Sequence, residues 1–462
     1  MDAIERTLAP KPEKHTLRVN QPPAYFGDLA EDLLTLGIEE EDTFKVVEEE
    51  IREEIILGEV WTLPKSIFAP RQRESDARDF YDTPAVMKKQ LNMDWQRAIK
   101  QDRFSQFVSR ESKRLKVEGE KETDAIRECI EMYYHSCFMP GFTYYGAMGT
   151  GGEFSMQLNE FTALIDEAGI PDPASDKCKR SDCDTLFITA NVEDDKNSIE
   201  GKNNDDNSLT RFEFVEVLVR LAVAKYGYCS DPLKPSDAMR KLITDHLEVA
   251  LPPEAKMQAN KFRQERLYFE EVDAVLKGDQ ALLKALYSRY RLPPSSGGRR
   301  HKVLLVSDFI QMMLDMNLID DEFTLREAKL CFLQSQMAVV DDMKDPIRNE
   351  CVTFTDFLEV LGHVADLQSF PTAEEIQAMG CTDILDYTFR LRTLEGEYVP
   401  PRRPSSEMMG IKTRPLAWKI GVLLELMWRM LMYNPDKPTA GQEFSKSDLL
   451  KKLKKKDADL GP

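Results

Sequence analysis

Apolar residues recur at helical spacing along most of the chain, and residue-by-residue alternation of apolar and polar positions is scarce. The runs "YFGDLAEDLLTLG" and "DTFKVVEEEIREEIILGEVW" place acids between apolar residues of helical period, which predicts two short amphipathic helices. From about residue 94 the same period continues through "DWQRAIKQDRFSQFVSRESKRL" and "DAIRECIEMYYHSCF", then breaks at the Gly-rich "PGFTYYGAMGTGGEF", which reads as a loop. Further breaks fall at "PDPASDKCKRSDC", "SDPLKPSD", "RLPPSSGGRR" and "EYVPPRRPSS". Pro10, Pro12, Pro22 and Pro23, in a stretch without period, predict an extended amino-terminal arm. The pattern as a whole is that of an all-α protein.

The chain also resembles itself. "SMQLNEFTALIDEAGIPD" (155–172) carries the same apolar skeleton as "VLLVSDFIQMMLDMNLID" (303–320). In each, an apolar residue is followed four positions later by an acid and then by Phe. Met156, Glu160 and Phe161 match Leu304, Asp308 and Phe309, while Leu209, Glu213 and Phe214 match Val352, Asp356 and Phe357. The segments upstream of the second copies align around Phe187 and Phe332. The result is four copies arranged as two pairs.

An apolar residue four positions before an acid, followed by Phe at a helix start, resembles the second half of an EF-hand loop. There the apolar residue bridges to the neighbouring loop, the acid supplies two oxygens to calcium, and Phe anchors the exiting helix. The runs "LTRFEFVEVLVRLAVAKYG" and "VTFTDFLEVLGHVAD", with their expanded loops, look like the divergent EF-hand proteins of cilia and flagella. The resemblance implies two EF-hand-like pairs, four degenerate hands, with helical and extended flanks. Residues 1–93 would be the arm and acidic helices, 94–230 the first pair, 231–368 linker helices and the second pair, and 369–462 a linker and helical basic tail. It also implies a structural, microtubule-associated role in an axoneme, with tubulin or other axonemal proteins as partners.

Calcium is the cofactor that such loops raise, and the ligand positions argue against it in most of them. A binding loop needs oxygen donors at positions 1, 3, 5, 7, 9 and 12 and Gly at 6. Loop one, "GTGGEFSMQLNE", offers Gly149 and Gly151 where carboxylates belong. Loop three, "GGRRHKVLLVSD", brings Arg299 and Arg300 to the ion's position, and loop four, "DPIRNECVTFTD", has Ile347 at position 3 and Glu350 in the Gly slot. Loop two, "KNNDDNSLTRFE", keeps Asn204, Asp206 and Glu213 at positions 3, 5 and 12 but has Lys202 at position 1. Counting forward from Phe187 instead puts Asn191 first, so an expanded loop drawing on Asn191, Glu193, Asp194, Asp205, Asp206 and Glu213 stands as a second register beside a plain solvated loop.

Composition narrows the functional classes. Hydrophobic residues make up 42% and charged ones 31%, a globular balance. A formal charge of −19 disfavours a nucleic-acid binder, which needs basic surface against phosphate. Eight scattered cysteines and an amino terminus without an apolar leader core predict an intracellular protein. "LAWKIGVLLELMWRMLMY" (416–433) holds Lys419, Glu425 and Arg429 and so reads as a buried or docking helix, without membrane insertion. The five histidines lack metal spacing, Cys178 and Cys183 lack a second ligand pair, "GAMGTGG" lacks the Lys-Ser of a phosphate loop, and no nucleophile-and-base set is present; an enzyme is not expected. Lys451, Lys452, Lys454, Lys455 and Lys456 form a basic tail suited to an acidic surface. The rival reading is a calcium sensor that uses loop two and exposes Met312, Met313, Met316 and Met337 to a target helix.

Overall fold

The backbone separates into two units, residues 1–61 and 62–462. The computed structural model describes residues 60–149, 155–192, 207–291, 303–320, 323–344, 346–368, 370–371, 373–393, 414–433 and 444–454. The predicted arm and acidic helices of residues 1–59 lie outside these. The described part is mostly helical, with short two-residue strands, as the apolar period predicts.

An irregular strap, residues 62–82, enters first and carries Ile67, Phe68 and Phe80 into the core beside Tyr268. Helix α1 (Pro84–Lys100) begins at Thr83, whose hydroxyl accepts from the Val86 amide, with Pro84 in the first turn, where its missing N–H costs nothing. The domain boundary read at 93/94 therefore falls inside α1. Helix α2 (Asp102–Arg114) and helix α3 (Gly119–Tyr133) follow, and α3 runs through a π turn at Tyr134–Phe138 into α4 (Met139–Gly146). The expected loop at "PGFTYYG" is thus a helix. Pro140 sits in the first turn of α4, where a proline is tolerated, and Gly141 lets the backbone approach Leu251 closely.

Strand β1 (Met156–Gln157) leads into α5 (Leu158–Glu167); α6 (Arg180–Ala190), strand β2 (Ser208–Leu209) and α7 (Arg211–Tyr226) complete the first half. The second half repeats the order after α8 (Pro235–Leu242) and α9 (Glu270–Gly278). It comprises α10 (Gln280–Tyr290), β3 (Leu304–Leu305), α11 (Val306–Asp315), α12 (Leu325–Gln334), β4 (Cys351–Val352) and α13 (Phe354–Leu367). Helices Ala373–Ala378 and Ile384–Thr393, then α14 (Leu416–Met432) and α15 (Lys446–Lys454), close the chain.

The strands pair antiparallel in the expected register, Met156 with Leu209 and Leu304 with Val352. All four of these side chains are fully buried, each contributing about 1.5–3 kcal/mol by leaving water. Helix α7 is apolar nearly all round and is buried from Arg211 through Ala224, packed by α1, α6 and α8. Its counterpart α13 is buried from Phe357 through Asp366 and covered by α12 and α14. Each of these helices is therefore enclosed by other helices of the same chain. Helix α14 belongs to this core. Trp428 is fully buried and donates to Asp279 Oδ2 at 3.0 Å, and the Lys419 ammonium donates to the Asp366 carbonyl at 2.5 Å. Among the described residues, no helix is long and apolar enough to cross a membrane.

Candidate metal loops and a buried charged joint

The four acids at loop position 12 divide into two kinds. Glu213 and Asp356 are the third residues of their helices, three past a threonine N-cap, and each closes a capping box. Thr210 donates from its amide and hydroxyl to Glu213 Oε2, both at 2.8 Å; Thr353 does the same to Asp356 Oδ2 at 3.0 and 2.9 Å. The other oxygen of Asp356 meets the Arg71 guanidinium at 3.0 Å, so the strap supplies an internal cation to loop four. A metal ligating through both oxygens of these acids would have to break the capping boxes first. By contrast, Glu160 Oε2 and Asp308 Oδ2 are buried without a hydrogen-bond partner among the described residues, and burial raises the Asp308 carboxyl above the usual range. At position 1 of loop one, the Gly149 carbonyl accepts from the Lys329 ammonium of α12 at 2.8 Å.

Of the other predicted ligands, Asn191 is buried at the end of α6, while Glu193, Asp194, Asn204, Asp205 and Asp206 lie outside the described residues. Among the described residues, no cluster of three or more His, Cys, Asp or Glu side chains is placed to hold a metal. Removing the cap with Thr210→Ala is expected to cost about 0.5–2 kcal/mol, read as a lower thermal midpoint, with Thr353→Ala giving a shift of the same sign.

The most developed electrostatics lie between the two halves. Arg211, the first residue of α7, donates to the carbonyls of Val339 at 2.9 Å and Val340 at 3.3 Å, to Asp94 Oδ1 of α1 at 3.1 Å, and lies 3.0 Å from Asp342. Arg97 of α1 holds the same segment, between α12 and loop four, through Asp341 at 2.5 Å and Asp342 at 3.0 Å. Tyr134, from the π turn, donates to the second oxygen of Asp94. Burial, opposed by Arg211 and reinforced by Asp342, pushes the Asp94 carboxyl up to about 6. A second cluster centres on Arg263, in another π turn (Arg263–Leu267) and completely buried. It donates to both oxygens of Glu359 at 3.0 and 3.1 Å, to Asp82 at 3.1 Å and to the Gln336 carbonyl at 3.1 Å. Burial alone would raise Glu359, but Arg263 and Arg71 outweigh it and hold the carboxyl down at about 2.

The sequence reading did not single out these residues, because their partners lie far away along the chain. The signal was present: Glu359 and His363 interrupt the apolar run "FLEVLGHVAD", and Glu216 and Arg220 interrupt "FVEVLVRLAVA", in each case at a spacing of one helical turn. Met312, Met313 and Met316 are core residues, whereas Met337 is half-buried in a cleft of about 470 Å³ between the halves. Cys178 and Cys183 are buried free thiols beside one another at the start of α6. In α15, Leu449 and Leu453 face α10 and the lysines face outward; Lys455 and Lys456 lie outside the described residues. Comparison of the chain with protein-family models, curated proteins and solved structures gives no match.

Proposed function

We propose that this chain is a non-catalytic, EF-hand-like structural or interaction protein, a microtubule-associated component of a ciliary or flagellar axoneme whose loops serve as architecture. The observation that carries the reading is the treatment of loops two and four. Their bridging residues Leu209 and Val352 are paired and buried, while the acids a metal would need, Glu213 and Asp356, are engaged in capping the helices that follow. A helix pair held in this way needs no ion to keep its shape. The axonemal assignment draws on the resemblance of "LTRFEFVEVLVRLAVAKYG" and "VTFTDFLEVLGHVAD" to ciliary proteins. It draws also on the exposed lysines of α15, which suit an acidic surface such as tubulin's although the chain carries −19 overall.

A calcium-sensing alternative draws on Glu160 and Asp308, each with a buried oxygen that has no hydrogen-bond partner among the described residues, the kind of group a cation satisfies. Isothermal calorimetry in magnesium buffer separates the two. The architectural reading expects no calcium heat up to millimolar concentration. Micromolar binding that disappears in Asp206→Asn/Glu213→Gln, or in Glu160→Gln/Asp308→Asn, overturns it in favour of a sensor. Co-pelleting with microtubules, weakened when Lys451, Lys452 and Lys454 are replaced by Glu, tests the partner; a protein that stays in the supernatant overturns the axonemal assignment.

A further inference from the structure

The motif "CKRSDC" (178–183), which lacks the second ligand pair of a zinc site, folds its two cysteines onto one another. Cys178 ends the loop between α5 and α6, and Cys183 lies in the first turn of α6; both are fully buried. The loop is tied by its own residues: the Asp172 amide donates to the Cys178 carbonyl at 2.8 Å, and the Cys178 amide donates to the Ser175 hydroxyl at 3.1 Å. The Cys183 thiol donates to the Cys178 sulfur, and the Cys178 thiol in turn donates to the Ile170 carbonyl at 3.6 Å. That carbonyl also accepts from the Lys225 ammonium of α7 at 2.6 Å, which brings a cation close to the Cys178 sulfur.

This pair differs from the other thiols. The hydrogen bond from Cys183 lowers the Cys178 thiol below its ordinary value against the cost of burial, and the Lys225 ammonium adds to the lowering, opposed by Asp172. The same hydrogen bond, reinforced by burial, raises Cys183. By contrast, burial pushes Cys137 up to about 12 and raises Cys129, Cys331 and Cys381. A thiol that ionises readily, beside one that keeps its proton, is the arrangement of an attacking cysteine and its resolving partner. Pro173, Ala174, Asp176 and Lys177 of the covering loop are exposed, so local opening of this loop admits a small oxidant. We propose that Cys178 and Cys183 form a modification site for a hydroperoxide, closing to a disulfide that staples the α5–α6 loop to the start of α6. The Cys178 sulfur takes one OH of hydrogen peroxide: the S–O bond forms, the O–O bond breaks, and the thiol proton joins the departing hydroxide as water. Cys183 then attacks the sulfur of the Cys178 sulfenic acid. The S–S bond forms, the S–O bond breaks, and the hydroxyl leaves as water with the Cys183 proton. Two thiols thus lose two electrons, and one hydrogen peroxide becomes two waters.

The test treats the full chain, reduced and folded, with equimolar hydrogen peroxide, blocks the remaining thiols by alkylation, and maps the tryptic peptides by mass. Trypsin cuts after Lys179 and Arg180, between the two cysteines, so a disulfide holds together two peptides that separate on reduction. The expected result is a Cys178–Cys183 linked pair, with two hydrogens lost from the intact mass. In Cys183→Ser, oxidation should stop at the Cys178 sulfenic acid, captured by dimedone. In Cys178→Ser, loss of the Cys183 thiol to peroxide should slow by at least about tenfold. A linked pair found in urea-unfolded but not in folded chain, a disulfide joining Cys178 to the exposed Cys229 instead, dimedone captured at Cys229 alone, or undiminished oxidation of Cys183 in Cys178→Ser each overturns the proposal. The peptide map of the parent chain needs no variant, so it decides the question even where a serine substitution unsettles the buried pair.

Discussion

Replacing Arg263 by methionine is expected to destabilise the 62–462 unit by about 3–5 kcal/mol, because it leaves Glu359 and Asp82 buried with their principal cation gone. The guanidinium is wholly enclosed and spends its donors on two carboxylates and a backbone carbonyl from the strap, α13 and the segment after α12. Lysine in its place should recover little, since one ammonium cannot reach Glu359, Asp82 and the Gln336 carbonyl together, which the guanidinium meets through Nε, Nη1 and Nη2. Thermal or denaturant unfolding provides the measurement, with Lys451→Met as an exposed control expected to stay within about 0.5 kcal/mol of the parent. A midpoint for Arg263→Met close to that control would show that the buried cluster contributes nothing to stability.

The two clusters should also respond to pH with opposite signs. Glu359 is held at about 2 in the folded protein against 4.5 in the unfolded chain, so its contribution is present above pH 4.5 and is lost as pH falls toward 2. The expected loss is about 3 kcal/mol. Asp94 is raised from 3.8 to about 6, so the folded protein takes up that proton first. Its charged form therefore costs stability above pH 6, and the cost is relieved as pH falls from about 6 toward 3.8. The groups that face it are Arg211, Asp342 and Tyr134. Unfolding free energies at pH 7, 5.5, 4 and 3 should show the gain between pH 7 and 4 reduced in Asp94→Asn. The acid loss below pH 4.5 should be reduced in Glu359→Gln, a variant weaker than the parent at pH 7. Parallel curves for parent and Asp94→Asn would place the titration elsewhere.

How much of this was legible beforehand depends on the kind of interaction. The bridge residues Met156, Leu209, Leu304 and Val352 were visible because a local spacing, an apolar residue four before an acid, fixes both the strand and the start of the next helix. The caps Thr210 and Thr353 were not read from the sequence, although a capping box is a contact between residues three apart and so is written in the same short stretch. Helix α4 was misread because Pro140, Gly141 and Gly146 weigh heavily in any local view, while the packing of Gly141 on Leu251, more than a hundred residues away, does not enter it.

The sequence by itself determined the helical class, the twofold repeat, the bridge register and the poor ligand sets of loops one, three and four, all of which are written in residues close together along the chain. The tertiary structure alone decided that Arg71 and Arg263 would meet Glu359, that Arg211 would meet the loop of the other half, and that α14 would be core. Those partners are separated by about a hundred residues or more, and a charge in an apolar helix looks the same in sequence whether water or a distant guanidinium will neutralise it. Burial settles the matter, because an ion removed from water must find its counter-charge within the fold.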